Sequence, residues 1–167
     1  MIVEVYKLDV KDSVKEGKSQ SKIDLSLQKG KGKAMDKHRR KIYLVYDDKT
    51  AFYVGETDTS IKERMERSYN SYNYFKKNGH ARGGYKGYKW LDIDNNKVRS
   101  LILYVVILGE DYDDPKRRRE VEAIEGELVY EIRNRTEKWP AFQNEIHFSN
   151  VDTANQIAKD ILQLCNF

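Results

Sequence analysis

Residues 98–108, VRSLILYVVIL, limit the folds open to this chain more than any other stretch. A strand with one wet face alternates apolar and polar side chains, and this run does not. Both parities are apolar, and β-branched residues are frequent. That pattern fits a central strand buried on both faces, which requires a sheet with cover on each side. A chain of 167 residues has room for one such core. It can bury roughly two-thirds of the surface its unfolded form exposes.

The partners for that strand lie earlier. Two short apolar runs, 42–46 and 51–55, flank the turn-forming Asp47-Asp48-Lys49-Thr50, which is the sequence form of a β-hairpin. Residues 1–10 alternate apolar and polar and read as a further strand. After the hairpin, Asp58 and Thr59 are N-cap candidates for a helix beginning near Ser60 and fading around 74–77. In it Ile61, Met65, Ser68 and Tyr72 share one face, with Arg64 at its border. Asp113-Asp114-Pro115 opens a second helix that runs to about Arg135, with the stripe Val121, Ile124, Leu128, Val129 and Ile132. A last amphipathic helix starts near Asp152 or Thr153 and runs through Ile157, Ile161 and Leu164. The expected fold is a small α+β domain, an antiparallel sheet of hairpin plus central strand flanked by helices. Its expected divisions are an N-terminal strand and basic arm (1–40), a core (41–150) with a basic loop at 76–97, and a C-terminal helix packed on the core (151–167).

Charge is segregated. Residues 11–41 hold eleven basic residues against four acidic, and residues 76–99 hold seven against two, although the whole chain carries only +4. Such segments suggest a polyanion partner, or else solvated basic loops. Residues 11–40, with KGKGK in the middle, read as a loop or mobile arm, with a short helix over 21–27 as the alternative. Tyr85, Tyr88 and Trp90 either stack on bases or pack their Gly-rich loop onto the sheet. The single Cys165 excludes an intrachain disulfide and a cysteine-based metal cluster. His38, His80 and His147 lack metal-ligand spacing. No apolar run approaches the roughly 18 residues of a membrane helix. The first residues lack the apolar segment of a signal peptide, so an intracellular, cytoplasmic location and no membrane partner are expected.

Glu125 stands out because it falls inside the stripe of the second helix, four residues after Val121 and three before Leu128. Glutamate is almost never fully buried unless paired. Either a cation meets it, Arg64 or a divalent metal, or it turns outward at the helix edge. Glu120, Glu122 and Glu127 fall off the stripe and are expected to be solvated.

These residues resemble the GIY-YIG nuclease family. Lys41-Ile42-Tyr43 and Tyr53-Val54-Gly55 are similar to the two signature triplets. The stretch from Gly55-Glu56-Thr57 through Ile61 to Arg64-Met65 resembles the approach to the family's helix arginine. Glu125-Gly126-Glu127-Leu128-Val129, then Trp139-Pro140 and Asn144, resemble its metal-binding glutamate, apolar pair, proline and asparagine. The chain departs from the pattern at Lys41 for the first glycine, at Glu56 where a basic residue is common, and at Ser68 where His or Tyr is common.

The resemblance implies a metal-dependent DNA endonuclease with catalytic residues Tyr43, Tyr53, Arg64, Glu125 and Asn144. Glu125 would hold Mg²⁺ (or Mn²⁺), which keeps most of its waters and needs few protein ligands. Arg64 suits a phosphate because a guanidinium makes paired charge-assisted hydrogen bonds. Tyr43 is assigned as base or water-orienting residue, and Tyr53 as its phosphate-side partner. A phenol with an ordinary pKa of about 10 needs a nearby cation for that task. Double-stranded DNA is the expected partner, with Arg39, Arg40, Lys62, His80, Arg82, Lys86 and Lys89 as binding residues. A restriction-type homodimer is expected, since two strands need two cuts. The alternatives are a catalytically silent nucleic-acid-binding module of the same fold and a non-nucleic-acid interaction domain.

One geometric condition follows. Tyr43 and Tyr53 share a face of the hairpin only if paired residue numbers sum to an even value, which requires an odd loop or a bulge. An unbulged pairing of Tyr46 with Ala51 would put them on opposite faces.

Overall fold

The computed structural model describes residues 1–15, 18–47, 49–84, 87–91, 99–143 and 151–167. Among these residues five strands, β1 (Ile2–Lys15), β2 (Lys18–Lys29), β3 (Lys41–Tyr46), β4 (Ala51–Thr57) and β5 (Arg99–Ile107), form one antiparallel sheet in the order β2-β1-β5-β3-β4. The helices are α1 (Ile61–Asn78), α2 (Arg118–Thr136) and α3 (Ala154–Leu164). This is the expected α+β class, and β5 takes the central place that its two-sided apolar pattern demands.

Cover comes from both sides. Leu101, Leu103, Val105 and Ile107 of β5 join Tyr6, Leu8, Val10, Tyr43 and Val45 beneath Ile61, Met65 and Tyr72 of α1. On the other face, Ile42, Leu44, Val54 and Val106 meet Val121, Ile124, Leu128 and Ile132 of α2 and Ala158 and Ile161 of α3. Burying one such aliphatic side chain stabilises the fold by about 1.5–3 kcal/mol. Ser60, not Asp58 or Thr59, caps α1, its Oγ accepting from the Glu63 amide at 3.1 Å.

One expectation for the basic segments is corrected, and one open alternative is decided. Much of the 11–40 stretch is not a loop, and 21–27 is not helical: Lys18–Lys29 is β2, paired with β1 from Lys15↔Lys18 to Val5↔Lys29. Since β1 also pairs with β5, the N-terminal segment belongs to the same sheet as the core. In the loop after α1, Tyr88 and Trp90 pack inward, Tyr88 lying 6.0 Å from Tyr72 and 5.5 Å from Phe75 between ring centroids. Tyr85 and His147 lie outside the described residues.

The KGKGK stretch closes on a buried carboxylate. Glu4 shares the inward parity of Tyr6, Leu8 and Val10 and is fully buried. Its Oε1 accepts from the amides of Lys31 (3.0 Å) and Lys33 (2.8 Å), and its Oε2 from Ala34 N (2.9 Å) and the Tyr6 hydroxyl (2.7 Å). Burial alone would raise the Glu4 pKa. The Ala34 amide, the Tyr6 hydroxyl and the other two amides outweigh it, so the net shift is downward. The loop reaches Glu4 through Gly30, at φ +121° and with no room for a Cβ beside the Glu4 side chain.

Candidate active site

The β3–β4 pairing carries the even sum and the bulge. Tyr43 faces Gly55 and Val45 faces Tyr53, then the register shifts so that Tyr46 faces Ala51 and Phe52 is the extra residue. Asp47 turns the chain, its Oδ1 accepting from Lys49 N (2.9 Å) and Thr50 N (2.7 Å). Both tyrosines therefore lie on the α1 face, with ring centroids 6.1 Å apart.

Gly55 allows Tyr43 its position. A Cβ at residue 55 would fall 2.5 Å from Cζ and 2.9 Å from Cε1 of the Tyr43 ring, and nearer still to its hydroxyl. The ring thus crosses directly over the backbone of its cross-strand partner. From α1, the Arg64 guanidinium lies 5.5 Å from the Tyr43 ring centroid.

Glu125 lies on α2, which packs against β4 from the other face, and interacts electrostatically with Arg64 and Glu56. The residue is partly buried, and among the described residues no hydrogen bond to its carboxyl is seen. Burial pushes its pKa up to about 8; the nearby Glu56 and Glu122 carboxylates add to the rise and Arg64 opposes it. A desolvated carboxyl beside a second carboxylate needs a proton or a cation. No group of three or more His, Cys, Asp or Glu side chains suited to a metal occurs among the described residues, so any divalent ion here would have Glu125 as its main protein donor and keep most of its waters.

Tyr43, Tyr53 and Arg64 are thus gathered on the α1 face, and Glu125, on α2, is within electrostatic reach of Arg64. Asn144 and Lys86 lie outside the described residues. The chain leading towards Asn144 does run along β4: Ala141 N donates to Ala51 O and Phe142 N to Phe52 O, both at 2.9 Å, and Gln143 Oε1 accepts from Val54 N at 3.2 Å.

The arginines before β3 are paired with acids. Arg40 is buried, and its Nη1 donates to Glu56 Oε2 at 2.9 Å. Arg39 is flanked by Asp113 (3.0 Å) and Glu110 (3.1 Å). Arg40, being buried, is not placed to reach a phosphate, which corrects that reading for this residue; Arg39 is only partly buried. Lys62, His80, Arg82 and Lys89 are exposed.

The departures from the family pattern acquire physical content. Lys41 is fully buried, its ammonium donating to the carbonyls of Asp36 (2.7 Å), Arg39 (2.7 Å) and Thr59 (3.0 Å). Burial draws its pKa down, while Asp36, Asp113 and Asp58 act the other way. This side chain ties the approach to β3 to the approach to α1. Ser68 is buried, and its Oγ donates to Arg64 O at 3.3 Å, so it presents no group to a substrate. Tyr72 is buried in the α1 core. Glu56 is the site member that sequence reasoning did not assign. The signal was present, because residue 56 directly follows the glycine beneath Tyr43.

Among the described residues no helix is long and apolar enough to cross a membrane. No family model, no curated protein and no solved structure matches the chain.

Proposed function

We propose that this chain is a phosphodiester hydrolase that uses a divalent metal. More narrowly, it is a GIY-YIG-type DNA endonuclease acting on double-stranded DNA, of restriction type and working as a homodimer. The observation that carries the reading is that a bulge gives the hairpin its even register and so sets Tyr43 and Tyr53 on one face beside Arg64, with Glu125 of α2 in electrostatic reach of that arginine.

Each residue has a task that suits its chemistry. Arg64 holds a phosphate oxygen, and its charge over the Tyr43 ring is the cation a phenol base requires. Tyr43 orients or deprotonates the attacking water, and Tyr53 steadies the phosphate from the same face. Glu125 holds Mg²⁺ or Mn²⁺, and Glu56 adds negative potential while holding Arg40. Such an ion, when bound, polarises the phosphoryl oxygen and stabilises the leaving oxygen. Asn144 belongs to the same reading through the resemblance.

The deciding experiment is plasmid incubation with and without Mg²⁺, comparing wild type with Glu125→Ala. Metal-dependent nicking or cutting by the wild type alone supports the endonuclease, and discrete bands support restriction. DNA binding without cleavage, on diverse DNA, favours a silent nucleic-acid-binding module. Two observations speak for that second reading: Tyr43 is 1% exposed, and Ser68 offers no auxiliary group. Absence of both binding and cleavage overturns both.

A further inference from the structure

The site accounts for one end of α1 and leaves a second feature of that helix unused. Residues 64, 67, 71 and 74 recur at helical spacing and form one stripe beside the buried face of Ile61, Met65, Ser68 and Tyr72. Arg67 is exposed, and Ser71 and Tyr74 are partly so. At the far end the Tyr74 ring is bracketed by the next segment. Arg82 Cζ lies 5.9 Å from its centroid, and the His80 ring meets it edge-on at 5.6 Å and 76°.

The charge along this path is of one sign. From residue 67 to residue 91 the sequence contains no Asp or Glu. Glu63 is the acid nearest the stripe, and it is engaged at 2.6 Å by Lys37, with Arg67 also acting on it. Glu66 lies about a third of a turn round the helix from the stripe. Ten residues of α-helix from Arg64 to Tyr74 span about 15 Å. Along a duplex axis that is about four phosphates of one strand.

We propose that Arg67, Ser71, Tyr74 and Arg82 form a track for the phosphates of one DNA strand flanking the cut, beginning at Arg64. This rests on the nuclease reading. Arg67 and Arg82 each neutralise a phosphate, Ser71 donates a hydrogen bond between them, and the Tyr74 ring fixes the Arg82 guanidinium. A stacked guanidinium keeps its donors oriented, so less side-chain entropy is lost on contact.

The test is fluorescence anisotropy of the full chain without divalent metal, on duplexes of about 12 and about 30 base pairs, across a salt series. Removing one phosphate contact makes the slope of log K against log salt shallower by about 0.9. Arg67→Ala and Arg82→Ala should each show that loss on the long duplex. Tyr74→Ala should weaken binding as Arg82→Ala does, and Tyr74→Phe should restore it. Arg119→Ala removes the same charge from an exposed position on α2 and should not change the slope. Wild-type slopes in the Arg67 and Arg82 variants, or an equal loss with Arg119→Ala, overturn the track and leave the nuclease reading standing. A wild type that binds neither duplex overturns both. Far-UV circular dichroism of each variant separates lost contact from lost fold.

Discussion

Glu4 and Glu125 are the same residue placed in two kinds of interior. Glu4 sits in a cradle of three backbone amides and one hydroxyl, and its pKa falls below the ordinary carboxylate value. Glu125 lies near a second carboxylate, without a hydrogen-bond partner among the described residues, and its pKa rises to about 8. Burial costs each carboxylate its hydration. Only at Glu4 does the protein supply the replacement donors. A carboxylate satisfied internally serves the fold. One left short of donors at the junction of two helices and a strand is suited to an outside cation.

The largest test of that contrast concerns activity. Glu125→Ala should reduce Mg²⁺-dependent plasmid cleavage by about 10³-fold, because losing the metal's charge stabilisation removes several kcal/mol from the transition state. Cleavage close to the wild-type rate would show that Glu125 does not hold the ion.

Next comes the fold. Glu4→Gln puts an uncharged amide into a cradle of donors. Charge-assisted bonds weaken, and one amide N–H faces other donors, costing about 3 kcal/mol. Urea unfolding at neutral pH measures it. The wild-type contribution of Glu4 has its own pH dependence. Because its folded pKa is lowered, the stability is present above its ordinary pKa and disappears as pH falls through the folded value.

Gly55→Ala should cost about 1–3 kcal/mol through overpacking against the Tyr43 ring. It should also slow cleavage more than it weakens DNA binding, since the displaced ring belongs to the chemistry. Equal losses in both would point to a general disturbance of β4.

The smallest effect has the opposite sign to that at Glu4. In metal-free solution, folded Glu125 keeps its proton until about pH 8, whereas the unfolded chain releases it near 4.5. Between those values the folded state binds more protons, so stability should fall as pH rises. The partly buried carboxyl can turn towards water, which limits the difference to on the order of 1 kcal/mol. Glu125→Gln should flatten this dependence and make the protein slightly more stable than wild type at pH 8. Mg²⁺ should stabilise the wild type there and not the variant. Thermal unfolding at pH 5 and pH 8 checks both.

Much of the architecture was legible from pattern. The two-sided apolar run became β5, the stripe Val121–Ile124–Leu128–Val129–Ile132 became the buried face of α2, and Ile61, Met65, Ser68 and Tyr72 became that of α1. The same periodicity marked Glu125 as misplaced and tied the site to an even hairpin sum. Residues 18–29 defeated the reading because Lys, Ser and Gln have weak strand preference. What makes them a strand is the neighbouring β1, whose edge they satisfy. Arg39 and Arg40 looked like phosphate contacts because a basic run reveals its charge but not its partners. Those partners, Glu56, Glu110 and Asp113, lie from 16 to more than 70 residues away.

By itself, then, the sequence determined the layers and the helix faces, which depend on local periodicity that any window of the chain displays. The candidate pair of tyrosines with Arg64 and Glu125 came from the resemblance of their motifs to a nuclease family. Only the tertiary structure decided which charges are already matched. Glu4 is cradled by amides some thirty positions on, Lys41 is caged by three carbonyls, Arg40 is held by Glu56, and Glu125 is left beside another carboxylate. Hydration is lost according to position in space, and so is its replacement.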